Sequence, residues 1–167
     1  MACFRQLGIE STSHSRKPMI EQFKSLFETL VAELPTGTAR VNFYRVPRGD
    51  GSVVEVLPSN EKSASFGVHV DDGVEYVDFS FGRIGTWELP QEGRNHQAGA
   101  QQLVQEVEQM ARAVIAGRCD ETRGPFSLTS RVYVEGHTYK VVDLPMLPIP
   151  PFGTRHYAPY ASTSTVT

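Results

Sequence analysis

A histidine and an aspartate raise the first chemical question. His69 lies in SASFGVHVD (63–71) and Asp78 in VEYVDFSF (74–81), two alternating runs separated by Asp72-Gly73. An Asp-Gly pair between such runs signals a two-residue hairpin, because both turn residues need positive φ. Built on that turn, Val70 faces Glu75, Val68 faces Val77 and Phe66 faces Phe79. His69 then faces Tyr76, with Asp78 as its diagonal neighbour on the same face, and long side chains meet across that diagonal. A carboxylate that fixes an imidazole tautomer is the start of a general base or a metal site. The competing reading is a solvated polar sheet face, because no elbow motif places Ser65, Ser80 or a cysteine as the nucleophile.

The next candidate is Gly82-Arg83-Ile84-Gly85. A Gly-x-x-Gly loop can present backbone N–H groups to a phosphate, and Arg83 adds a positive charge. Nucleic-acid-binding KH modules carry such a loop between two helices. Here it follows a strand, and no helix N-terminus is near to hold an anion. A glycine-rich bend that redirects the strand is the simpler expectation. Just beyond stand Trp87, Glu88 and Pro90. Trp and Arg dominate binding hot spots, so Arg83, Trp87 and Glu88 form a candidate partner contact. Trp87 can equally close the core, with its indole N–H on a carbonyl.

Other reactive residues point to less. His14, His69, His96, His137 and His156 include no i, i+4 pair of the helical metal-binding type. His137 reads as an edge residue of its hairpin. Cys3 and Cys119 form no Cys-x-x-Cys motif, so no metal or redox centre is written locally. Cys119 precedes Asp120 and Glu121, whose charges oppose thiolate formation, which makes it a poor nucleophile. Arg48-Gly49-Asp50 reads as a turn. The Gln/Glu-rich stretch around Gln101, Gln105 and Glu108 reads as a solvated helix face. No cofactor site is recognisable.

The elements that must position these residues follow from periodicity. Residues 18–34 predict a helix, with Met19, Ile20, Phe23, Leu26, Phe27, Leu30, Val31 and Leu34 in one apolar stripe. Pro35 and Gly37 end it. Strands are predicted over 39–46, 52–58, 63–71 and 74–81. A second helix spans 96–116, buried through Leu103, Val104, Val107, Met110, Ala111, Val114 and Ile115, with Asn95 as N-cap and Gly117 as C-cap. A hairpin follows over 127–144. Its tip is Glu135-Gly136, which pairs Val132 with Tyr139 and Val134 with His137. Residues 118–123 suggest one further short strand.

This order predicts an α+β two-layer sandwich: an antiparallel sheet in the order α-ββββ-α-ββ, with two helices on one face. Residues 18–146 form the expected single domain. Residues 1–17 are Ser/Thr-rich and unpatterned, and are expected to be a disordered arm or translated leader. Residues 147–167 are expected to be a Pro-rich arm, docked through Phe152, Tyr157 and Tyr160 and then disordered.

With 167 residues, net charge −3 and a pI near 5.9, the chain is unlike a nucleic-acid binder. No run reaches the roughly 18 apolar residues of a membrane span, and no secretory signal is evident, so a cytoplasmic setting is expected. The α-ββββ-α-ββ layout resembles that of secretion chaperones and immunity proteins of bacterial toxin systems. With no nucleophile, metal cluster or nucleotide loop in the sequence, the polar sheet face and the Pro/aromatic tail point to a non-catalytic binder of another protein, basic in charge to suit this acidic chain. Its contact residues would be His69, Tyr76, Asp78, Arg83, Trp87 and Glu88. The alternatives are a small-ligand-binding or hydrolytic enzyme built on His69 and Asp78, and a homo-oligomer that buries the polar sheet face.

Overall fold

The computed structural model describes residues 18–47, 51–71, 76–83, 85–90, 96–143 and 152–161. The expected arm over 1–17, the Arg48-Gly49-Asp50 turn, the Asp72-Gly73 pair and Asn95 lie outside them.

Helix α1 (Met19–Ala32) buries Phe23, Phe27 and Leu30, with Met19, Ile20, Leu26, Val31 and Leu34 packed partly around them. Pro18 is the N-cap rather than part of the first turn; its carbonyl accepts the Glu21 and Gln22 N–H groups. Five strands follow: β1 (Ala39–Arg45), β2 (Gly51–Pro58), β3 (Phe66–Asp71), β4 (Tyr76–Phe81) and β5 (Gly85–Pro90). They form one antiparallel meander in the order β1-β2-β3-β4-β5. Helix α2 (His96–Ile115) comes next, then β6 (Cys119–Arg123), β7 (Leu128–Val134), β8 (His137–Asp143) and β9 (Gly153–His156). These strands form a second antiparallel sheet in the order β8-β7-β6-β9. The fold is an α+β two-layer sandwich, with α1 against β1, β2 and β3, and α2 against β7.

The expected stripe of α2 is the buried one, including Leu103, Val107, Met110, Ala111 and Val114. Gly117, at φ +70°, ends the helix with two bonds of the Schellman type: Arg118 N–H to Ala113 O and Gly117 N–H to Val114 O, both 2.9 Å. Arg112 ties the helices together, bidentate to Glu33 at 2.7 and 3.1 Å and bonded to Glu108 at 2.9 Å.

Two features differ from the sequence expectation. The sheet is two sheets, and both β5 and β9 are additional strands. The β3–β4 register is also offset by two residues. Val70 pairs with Val77, Val68 with Phe79 and Phe66 with Phe81. An even offset keeps every side chain on its expected face, whereas an odd one would have inverted the core. The β7–β8 hairpin has the expected register, with Val132 opposite Tyr139 and Val134 opposite His137.

The core is an aromatic chain. Phe27 meets Phe66 edge-on at 5.1 Å, Phe66 and Phe79 stack at 6.2 Å, and Trp87 stacks on Phe81 at 5.1 Å. Tyr157 and Tyr160 enter it from the C-terminal segment, Tyr157 against Phe81 and Tyr160 against Phe66. Phe152, expected to help dock that segment, is half exposed.

Candidate functional site: the open face of the first sheet

Alternation in the first sheet puts Val54, Val56, Phe66, Val68, Val77, Phe79 and Phe81 on the covered side. The opposite side is open among the described residues, with Asn42, Ser80, Thr86 and Glu88 exposed on it. Strand register carries one lateral row across all five strands: Tyr44 opposite Val53, Val53 opposite His69, His69 opposite Asp78, and Asp78 opposite Glu88. At ~4.8 Å per strand the row is about 19 Å wide. Tyr44 is 42% exposed at one end, and Glu88 is exposed at the other.

His69 and Asp78 are therefore direct cross-strand neighbours, not diagonal ones. Nδ1 of His69 lies 3.5 Å from Asp78, and Nε2 lies 3.1 Å from Asp71. Both ring nitrogens face carboxylates, so neither is turned to a hydroxyl as a general base would require. Gly51, opposite Asp71, makes room for this arrangement: a Cβ there would lie 2.7 Å from both His69 Nε2 and Asp71 Oδ1.

The neighbouring row runs Asn42, Glu55, Gly67, Ser80 and Thr86. Asn42 donates to Glu55 at 3.0 Å. Gly67 carries no side chain into the face, and a Cβ would sit 2.9 Å from the Val54 carbonyl. It is part of the lining of a shallow depression of about 290 Å³, with Tyr44, Val53, Glu55, His69 and Ser80. Taken by alternation, the open face carries Glu55, Asp71, Asp78 and Glu88 against Arg40 and His69. It is acidic.

The other sequence-predicted residues part company. Tyr76 pairs with Pro90 at the start of β4, and its side chain lies outside the described residues. Trp87 points to the covered side; it is 8% exposed, and its indole N–H finds no acceptor among the described residues. Gly82 and Gly85 flank a hairpin turn, since Phe81 pairs with Gly85 and the chain continues as β5. Arg83 stands on that turn, where its N–H donates to Glu121 Oε1 at 2.8 Å. The sequence marks Glu121 only as a charge beside Cys119 and Tyr157 only as a docking aromatic of the C-terminal arm. Both are buried, and Tyr157 donates its hydroxyl to Glu121 Oε2 at 2.6 Å. Burial first, and then this bond, raise the tyrosine pKa. Gly82 is at φ +62°, and a Cβ on it would lie 2.6 Å from both Glu121 Oε1 and the Tyr157 hydroxyl. Its backbone thus closes over that pair.

Cys119 is 2% exposed. Its thiol is pushed up to about 12, by burial first and then by Glu121 and Asp120. The adjacent carboxylates act in the expected direction, but burial is the larger cause. Among the described residues no group of three His, Cys, Asp or Glu side chains could hold a metal ion. No helix among them is long and apolar enough to cross a membrane. Comparison with protein-family models, curated proteins and solved structures returns no match.

Proposed function

We propose that the chain is a non-catalytic binding module that takes up a basic segment of another protein on the open face of the first sheet. The observation that carries this reading is the continuous row from Tyr44 through His69 and Asp78 to Glu88, on a face with four carboxylates. Acidic charge spread over an open surface speeds encounter with a basic partner and repels acidic ones. Tyr44 supplies an exposed aromatic of the kind that anchors interfaces. Both His69 nitrogens being turned to carboxylates weighs against hydrolysis on this face.

The test is affinity capture from native lysate with the wild-type chain and with an Asp78→Lys/Glu88→Lys double variant. A basic protein held by the wild type at low salt, released near physiological ionic strength and lost by the variant, supports the reading. Equal capture by both, or recovery of free monomer only, refutes it. A dimer in light scattering that the double variant abolishes would instead give the face to a second copy of this chain. The depression around Gly67 favours a small ligand as the second reading. Saturable small-molecule stabilisation, lost in a Gly67→Ser variant that still folds, would support that alternative.

A further inference from the structure

A second cavity lies between the β4–β5 turn and the second sheet. It measures about 280 Å³ and is lined by Arg83, Glu121, Arg123, Phe152, Gly153, Thr154 and Arg155. Three arginines and a single carboxylate thus line it, in a chain whose net charge is −3. Strand pairing explains how they converge. Glu121 pairs with Arg155 and Arg123 with Gly153 across β6 and β9, and residues two apart share a face. The β4–β5 turn adds Arg83. Gly153 leaves a notch opposite Arg123, since a Cβ on it would meet nothing within 4 Å.

Glu121 is already bound by the Arg83 backbone N–H and the Tyr157 hydroxyl. Arg155 lies over the Tyr157 ring at 5.1 Å and donates to the Glu61 carbonyl at 3.3 Å. The guanidinium groups of Arg83 and Arg123 have no hydrogen-bond or ion-pair partner among the described residues. Structural arginines hold acceptors, as Arg131 does with Asp120 at 2.9 Å. Arg83 and Arg123 hold no such acceptor among the described residues, and guanidinium forks of that kind match phosphate oxygens. Phe152, 50% exposed, adds an apolar surface to the same cavity.

We infer that this cavity binds a small phosphate monoester, with the dianionic head between Arg83 and Arg123 and its organic group against Phe152. The volume suits a phosphate bearing about one ring, at the small end of ligand cavities. A dianion matches two cations that lack a partner among the described residues better than a carboxylate does.

Calorimetric titration of the full chain with phenyl phosphate is the test, with phenylacetate as the monoanionic counterpart. Expected is saturable binding of phenyl phosphate, weaker binding of phenylacetate, and a loss of ~10-fold or more in Arg123→Gln and in Arg83→Gln. Because neither guanidinium has a partner among the described residues, both variants should melt as the wild type does. Arg40→Gln, on the open face, should bind unchanged. Absence of saturable binding, equal affinity for phenylacetate, or undiminished binding by both arginine variants would overturn the assignment. So would a phosphotyrosine peptide that binds tenfold more tightly than phenyl phosphate, which would give the cavity to a protein ligand.

Discussion

Replacing Gly82 with alanine tests the packing of the β4–β5 turn against the second sheet. The position is left-handed, at φ +62°, where a Cβ costs about 1 kcal/mol in the backbone alone. The added carbon would also lie 2.6 Å from both Glu121 Oε1 and the Tyr157 hydroxyl, closer than real contacts allow. Those two groups are buried and bonded, so relief means moving the carboxylate off the Arg83 N–H, the tyrosine off the carboxylate, or both. A hydrogen bond to a charged group contributes about 1.5–3 kcal/mol. Losing one or two of them, with the backbone strain, predicts a loss of about 2.5–7 kcal/mol, a large part of an ordinary domain's stability. Urea unfolding of both proteins at neutral pH reads this directly, provided the m-value is unchanged. Tyr157→Phe in each background sharpens the test. It removes one of the two clashing oxygens, so the double variant should be at least ~1 kcal/mol more stable than the sum of the single losses. A Gly82→Ala loss below about 1 kcal/mol, or simple additivity, would refute the close approach.

Alkaline pH should destabilise the fold through Cys119, Tyr157 and Tyr160. Burial raises all three, Cys119 from 9.0 to about 12. A raised folded pKa contributes stability that is complete below the unfolded value and is lost as pH climbs through the folded one. Stability should therefore hold to about pH 9 and fall toward pH 12, with Cys119→Ala making the slope shallower by up to about 1.4 kcal/mol per pH unit; an identical slope would exclude the thiol as a contributor. Phe27→Ala should cost about 3–5 kcal/mol in urea unfolding, because the ring is fully buried and edge-on to Phe66; a loss under about 1 kcal/mol would mean that the site refills.

Much of the fold is legible in the sequence, because helical and strand periods encode burial directly. The stripes of α1 and α2 need only counting. The β3–β4 offset marks the limit. Phe66 and Val68 meet apolar partners in either of two registers, only Val70 separates them (opposite Glu75 in one and Val77 in the other), and the Asp72-Gly73 signal favours the wrong one. Even so, parity brought His69 and Asp78 to one face. Strand β5 is hidden because Gly82 and Gly85 read as strand breakers. Gly82 in fact makes the turn, and Gly85 makes room for Phe81 and Trp87 to stack, since a Cβ on it would lie 2.7 Å from the Phe81 ring. Strand β9 is hidden among prolines, and it lies at a sheet edge, where prolines nearby do no harm. The basic cavity has no local signature at all. Arg123 and Arg155 are brought together only by the pairing of β6 with β9.

The C-terminal segment also sets a schedule for synthesis. Tyr160 donates to the carbonyl of Ala64 and Ser63 donates to that of Pro159, both across 96 positions, while Tyr160 N–H bonds to Ile115 O at 2.9 Å. At ~5–20 residues per second, Ala64 emerges from the ribosome some 5–20 s before its partner. During that interval the first sheet can pair its strands, but Phe66 and Phe81 lack the tyrosine rings that later pack against them. The nascent meander therefore shows aromatic surface to its surroundings until residues 157–160 dock. It is in that window, more than in the finished fold, that the chain is exposed to wrong partners.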